Sequence, residues 1–349
     1  MKPRYALLLL TLFVSAHAWA TTTCQPGLLP PAHYAAGTNP GDIATADFNK
    51  DGYLDLVIMN RSQSKISILY GGPAGTFGAA TTIDTVKTQF DIKAADLNND
   101  GNPDIIFHDP GSFDTGTFPH LQVLLGDGHG AFTKVPYDSQ QITYSTVVRM
   151  ELADYNDDGL LDAATILSDG RFLWMGNKGG GTFSPGLPFP TESGGFGSGV
   201  ATGDFDGDGL LDVAVTQLTK NKVYLFFGDG DGYFTAGANP IVLPAPNPQS
   251  DPYDIRAGDF NGDGKADLAV VIRTSSSGTA PLIITLSNGA ARTFTTPITY
   301  GALTSAHKGF VEDMDGDGKL DVLRAPRVCS FFAAMAMGRS PRSSRSGAA

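Results

Sequence analysis

A nine-residue acidic motif that recurs six times, four short runs of apolar or small residues in each interval, and a glycine-rich, charge-poor composition together predict an all-β fold, a β-propeller of four-stranded blades. The 43 glycines and the charged fraction of 17%, below the roughly 25% usual for soluble domains, suit strands and turns rather than coiled coils or long helices. Hydrophobic residues make up 41%, enough to fill a core. Acids outnumber bases by 36 to 24, a formal charge of −12. No surplus of Lys and Arg is available to neutralise phosphates, so nucleic acid is not expected as a partner.

The chain opens with Lys2 and Arg4, an apolar run from Ala6 to Val14 and the small-x-small sequence Ala18-Trp19-Ala20. That is the pattern of a secretory signal peptide over residues 1–20. The run is too short to span a bilayer, and no later stretch is long and apolar enough to do so. The mature chain, from Thr21, is expected to be secreted, periplasmic or held at the cell surface, without a transmembrane segment. Cys24 follows three threonines, a poor context for lipid attachment.

The motif first stands at 47–55, as Asp47-Phe-Asn49-Lys-Asp51-Gly52-Tyr-Leu-Asp55. Later copies begin at Asp96, Asp154, Asp204, Asp259 and Asp313, with start-to-start spacings of 49, 58, 50, 55 and 54. Every copy has Asp at positions one, five and nine, Asn or Asp at three, and Gly at six. A short segment of small and apolar residues leads in, such as Ile43 to Ala46 or Val200 to Gly203. These suit an innermost strand crowded at a ring axis. After the motif comes a nearly continuous apolar run, as in Leu56 to Met59 and Leu268 to Ile272, which suits a strand covered on both faces. A third run follows (Ile66 to Tyr70, Phe172 to Met175, Val223 to Phe227) and ends in a glycine turn and an aromatic, as in Gly228-Asp-Gly-Asp-Gly-Tyr-Phe234. A fourth stretch leads to the next copy. Coils of a parallel β-helix are much shorter than this repeat, so the propeller is favoured, over residues 21–325.

Asp, Asn or Asp, and Asp at positions one, three and five with Gly at six match the start of an EF-hand calcium loop. Alternate side chains converge on one point, Gly permits a sharp turn, and a backbone carbonyl at position seven can add an oxygen. Asp at nine is expected to close the site. All-oxygen ligands select a hard cation, and calcium over magnesium on size and flexibility. An Asp-Gly hairpin turn alone needs one or two of these residues rather than four. The candidate ligands are Asp47, Asn49, Asp51 and Asp55; Asp96, Asn98, Asp100 and Asp104; Asp154, Asn156, Asp158 and Asp162; Asp204, Asp206, Asp208 and Asp212; Asp259, Asn261, Asp263 and Asp267; and Asp313, Asp315, Asp317 and Asp321. About six Ca²⁺ sites of structural importance follow. The 24 positions carry 20 Asp and contribute −20, so the rest of the chain sums to +8, and six Ca²⁺ would bring the whole to zero.

The repeats resemble the FG-GAP and VCBS-type calcium-binding repeats of integrin α-chain propellers and many secreted bacterial proteins. The resemblance covers roughly residues 33 to 325 and is carried by the acidic motif. It implies a propeller, usually of seven blades, with calcium in the loop between a blade's first two strands, and so assigns ligand roles to the same 24 residues. It implies neither a ligand nor a reaction.

Six motifs are readable, so a closed six-bladed ring is the alternative to seven. Pro31-Ala-His-Tyr-Ala-Ala36 is similar to the fourth-strand segment Pro297 to Ala302 and is expected to close the ring by joining the last blade. After Ala325 the pattern dissolves into an irregular basic tail, 326–349. Reading one base out of register turns Met335-Ala336 and Met337-Gly338 into Gly, and suitable codons restore a glycine turn, which points to a frameshift near residues 325 to 328. A genuine tail is the alternative. Cys24 and Cys329 are candidates for a bridge across the closure.

The longer connections at 109–120, 189–198, 244–253 and 274–281 fall at the blade ends opposite the acidic loops. They carry Phe113, Phe118, Phe196 and Tyr253, side chains suited to a glycan or a surface protein. No HExxH, GxSxG or Walker pattern occurs, and no catalytic residue is assigned. His108, His120 and His129 are read as solvated loop residues. A binding and adhesion scaffold is expected, with a carbohydrate-active enzyme, a polysaccharide lyase or glycosidase, as the alternative.

Overall fold

The computed structural model describes residues 33–61, 63–85, 91–110, 119–136, 145–244, 250–274, 279–304, 306–313 and 320–326. The expected signal peptide, Cys24, Phe113, Phe118, Asp315, Asp317, Cys329 and the tail beyond 326 lie outside these residues.

The chain divides into two compact units. The first comprises Met1–Val147 and Asn177–Gly186. Its first sheet is a meander of Pro40–Ala46, Asp55–Asn60, Lys65–Leu69 and Thr81–Asp84, each strand antiparallel to the one before. The second repeats the order with Ile92–Ala95, Asp104–Asp109, His120–Gly126 and Phe132–Lys134. Both second strands are buried along their whole length, which is why their sequences read as unbroken apolar runs rather than alternating ones. Phe48, Val57, Met59, Ile66 and Ile68 of the first sheet pack against Ile92, Ile105, Phe107 and Leu124 of the second.

The second unit comprises Val148–Gly176 and Leu187–Ala349. Its first meander, starting one residue before the unit's boundary, is Val147–Ala153, Asp162–Leu167, Phe172–Met175 and Leu187–Phe189. The next is Gly197–Gly203, Asp212–Gln217, Lys222–Gly228 and Phe234–Ala236, with Ile241–Val242 also paired to the third strand. The last is Ser250–Gly258, Asp267–Thr274, Thr279–Thr285 and Ile298–Thr304, followed by the hairpin Ala306–Glu312 with Asp321–Pro326. The period-two alternation of a strand divides its side chains between two neighbours. Val213 and Val215 face Ile166, Phe172 and Trp174 of the preceding sheet. Ala214 belongs with Ile255, Leu268, Val270 and Ile283 of the following one. Each fully buried Val, Ile or Phe contributes about 1.5–3 kcal/mol to this stacking.

Of the segment 31–36, likened above to a fourth strand, residues 33–36 carry no strand and residues 31 and 32 lie outside the described residues. Tyr34 and Ala36 instead pack on Leu56, Ile58, Leu69 and Phe77, with Tyr34 edge-on to Phe77 at 5.3 Å.

Candidate metal centre

Each acidic loop closes the hairpin between a sheet's first two strands. Ala46 pairs with Asp55, Ala95 with Asp104, Gly203 with Asp212, Gly258 with Asp267 and Glu312 with Asp321. In the loop 47–55, Asp47 Oδ1 accepts the N–H of Asp51 at 3.1 Å and its Oδ2 that of Gly52 at 2.9 Å. Asn49 Oδ1 accepts the same Asp51 N–H at 3.1 Å, while Asn49 Nδ2 donates to Asp51 Oδ2 at 2.9 Å. Asp51 Oδ1 accepts the N–H of Tyr53 at 2.9 Å. Short side chains that bond the backbone a few residues on are what make Asp and Asn turn-formers, and here three of them wrap one turn. The same bonds recur in the loops 96–104 and 154–162.

The wrap needs left-handed backbone at two places. Position six is Gly in every copy, with φ between 82° and 89° at Gly52, Gly101, Gly159, Gly209 and Gly264. Position four is left-handed too, at Lys50, Asn99, Asp157, Gly207 and Gly262. Sequence reasoning missed this second demand, although the Asn, Asp and Gly found there are the residues that tolerate it.

The ninth Asp has a role that spacing does not reveal. Asp55 accepts the N–H of Phe48 at 2.8 Å through Oδ2 and that of Gly71 at 2.7 Å through Oδ1. Asp104 holds Leu97 and Gly126, Asp212 holds Phe205 and Gly228, and Asp267 holds Phe260 and Ser287 in the same way. All four are fully buried, so each ties its loop to the end of the third strand. Burial raises their carboxyls above the ordinary range against the lowering effect of those two backbone donors, and the acids at loop positions one, three or five add to the rise. Asp212 is pushed up to about 7, with Asp206 and Asp208 as its acidic neighbours. The exposed carboxyls at position five go the other way at two sites. Asp100 is lowered by the N–H of Asn102 and the Asn98 amide, and Asp263 by the Lys265 ammonium at 3.0 Å.

In the loop 204–212 position three is Asp rather than Asn, and carboxylate oxygens of Asp204, Asp206 and Asp208 lie within 4.8 Å of one another. This clustered, all-oxygen set fits a hard divalent cation. Positions one, three and five therefore come together in each of the five fully described loops, with position nine buried beneath. Of the sixth loop Asp313 and Asp321 are described, whereas Asp315 and Asp317 lie outside the described residues. A further charged group converges on Asp206. Arg292 Nε lies 2.7 Å from Asp206 Oδ2, from 86 residues away in the chain.

At the opposite ends of the sheets Phe196 is 58% exposed, and Tyr253 is half-buried under the Arg273 guanidinium at 4.5 Å. The reading of His108 and His120 as solvated is overturned. Both sit in strands and are buried, His108 opposite Leu121 and His120 opposite Asp109, because the second strand runs on to Asp109 and the third begins at His120. His129 is exposed in its hairpin.

A sequence profile of the FG-GAP-like repeat matches residues 47–107, 154–215 and 212–270. Phosphatidylinositol-glycan-specific phospholipase D of Mus musculus is 25% identical over 227 residues, 62% of this chain; the chain spans 22% of that protein's length. Among solved structures, a lectin from Burkholderia pseudomallei is similar with a TM-score of 0.57 at 13% identity, covering 87% of this chain and 86% of the other. Periplasmic gluconolactonase of Pseudomonas aeruginosa is similar with a TM-score of 0.52 at 14% identity, covering 86% and 85%. At such identities the likeness is one of fold, an all-β propeller of antiparallel four-stranded blades.

Proposed function

The profile matches over slightly more than half of the sequence make this chain a member of the FG-GAP-like repeat family, and from that premise we propose that it is a secreted, calcium-stabilised scaffold presenting its loops to a glycan or a surface protein. The observation that carries the calcium reading is the gathering of Asp204, Asp206 and Asp208 oxygens within 4.8 Å, in a loop whose backbone pattern recurs along the chain. Positions one, three and five would hold the ion, with position nine closing the site beneath them. Bound calcium would screen carboxylates that otherwise repel each other.

Extracellular calcium modules bind at about 10⁻⁴–10⁻³ M. At millimolar calcium a site of about 10⁻⁴ M adds roughly 1.4 kcal/mol by linkage, and six such sites about 8 kcal/mol. That is comparable with the ~5–15 kcal/mol stability of a whole domain. Equilibrium dialysis should therefore find several Ca²⁺ per chain, and excess chelator should lower the melting temperature by many degrees. An unchanged melting temperature with no retained calcium overturns the reading.

The partner is assigned to the blade ends opposite the acidic loops, where the exposed Phe196 offers an apolar contact. Binding on a glycan array without product formation supports a lectin-like role, and binding only to surface proteins supports adhesion. The alternative, a carbohydrate-active enzyme, draws on the histidines. Burial of His108 and His120 makes them poor general acids or bases, which favours the scaffold. Release of new reducing or unsaturated ends from a polysaccharide would reverse that preference.

A further inference from the structure

In four hairpins that close a sheet's third strand, the residue two places before the terminal aromatic is a left-handed glycine. These are Gly75 before Phe77, Gly130 before Phe132, Gly181 before Phe183 and Gly232 before Phe234. The fifth hairpin ends at Phe294, and its equivalent position is Arg292, left-handed at φ 52°. A side chain there costs about 1 kcal/mol that glycine avoids, so its contacts call for an account.

Arg292 reaches from its own sheet onto the acidic loop of the preceding one. Its guanidinium lies 4.6 Å from the centre of the Phe227 ring, its Nε is 2.7 Å from Asp206 Oδ2, and its Nη2 is 3.8 Å from Asp208 Oδ2. The hairpin is fastened to the same loop by Ser287, whose Oγ donates to the Phe205 carbonyl, and the Gly289 N–H in turn donates to Ser287 Oγ at 2.9 Å. The loop so engaged has Asp at all four ligand positions, one acid more than the loops carrying Asn at position three. At the loop 47–55, by contrast, no Lys or Arg among the described residues stands within ion-pair distance of Asp47 or Asp51.

We propose that Arg292 is a tethered counter-ion for the loop 204–212, holding its carboxylates together without metal, so that this loop takes calcium after the loop 47–55 and only as Arg292 withdraws. The proposal rests on the calcium reading above. A guanidinium is a planar, permanently charged group that stacks well on an aromatic ring, and Phe227 provides such a stack. Competition between a fixed monovalent cation and an entering divalent one sets the order of filling, because both address Asp206 and Asp208.

The test is a calcium titration followed by NMR on the full protein, starting from chelated material. The amides of Gly52 and Gly209 report the two loops separately, and the Arg292 Nε–Hε resonance reports withdrawal. Expected is a Gly52 midpoint at lower calcium than Gly209, with Arg292 moving in step with Gly209. Arg292→Gln should lower the Gly209 midpoint roughly two- to fivefold and leave Gly52 in place. Arg292→Gly, which restores the residue of the other hairpins, should do the same and covers the case in which the first variant folds poorly. Equal Gly209 midpoints in wild type and variants, with Gly52 still responding, overturn the Arg292 inference alone. If neither glycine responds to calcium, the calcium reading falls and this inference falls with it.

Discussion

The hairpin glycines allow a paired substitution whose cost follows from the geometry. Gly232 has φ 80°, and a Cβ added to it would stand 2.4 Å from Cη2 and Cζ2 of Trp174. Gly179 has φ 83° in the hairpin of the preceding repeat, and a Cβ added there meets nothing within 4 Å. Alanine at either position incurs the left-handed penalty of about 1 kcal/mol. At Gly232 the Trp174 ring, packed with Phe172, Phe226 and Phe234, must also move, and overpacking of that kind costs roughly 1–3 kcal/mol. Gly232→Ala should therefore lose about 3 kcal/mol and Gly179→Ala about 1 kcal/mol. Urea unfolding at fixed millimolar calcium, followed by circular dichroism, gives both values. Trp174 supplies a local readout as well, since the other tryptophan, Trp19, falls in the segment expected to be removed as a signal peptide. Its emission should shift in Gly232→Ala and stay constant in Gly179→Ala. Equal losses in the two variants, with Trp174 emission unchanged, would refute the packing of this hairpin over the ring.

Two further outcomes follow. Tyr70 donates its hydroxyl to the Gly130 carbonyl at 2.7 Å, so Tyr70→Phe should lose about 1 kcal/mol in the same urea assay, and no loss would mean the bond contributes nothing. His108 is buried with no bonding partner at either ring nitrogen among the described residues, and burial, with His120 adding to it, lowers its pKa to about 3. A histidine depressed in the folded state leaves stability intact above its unfolded value of about 6.5 and removes it as pH falls toward the folded value, by about 2 kcal/mol at pH 5. His108→Leu should lose that much less than wild type between pH 7.5 and pH 5, and parallel profiles for the two proteins would count against the assignment.

Much of the fold was legible because the repeat states itself six times. The apolar runs Leu56 to Met59 and Leu268 to Ile272 mark strands covered on both faces, and burial bears that out. The convergence of loop positions one, three and five followed from their spacing, since those contacts are local. The clamp made by the ninth Asp did not, because its second partner comes from the third strand, 16 residues on for Asp55 and Gly71. Arg292 was hidden for the same reason, its partner Asp206 being set by how two sheets stack. His108 defeated the composition rule, since a polar residue next to Asp109 reads as a loop unless the strand's length is known.

Every meander pairs strands adjacent in the chain, as Val57 with Ile68 and Ile66 with Ile83 in the first sheet. Contacts so close in sequence form quickly, hairpins in about 1–10 μs. Synthesis at about 5–20 residues per second delivers a unit of about fifty residues over several seconds. A chain that reaches its folding compartment N-terminus first can thus complete each blade before the next arrives. Its apolar face must nevertheless wait, as Leu268 and Val270 meet Ala214 of the blade before while Ala269 and Val271 meet Val311 and Val322 of the hairpin after. Until the next blade arrives the newest one therefore carries an uncovered sticky face, and this travelling edge is where a chaperone would have to act.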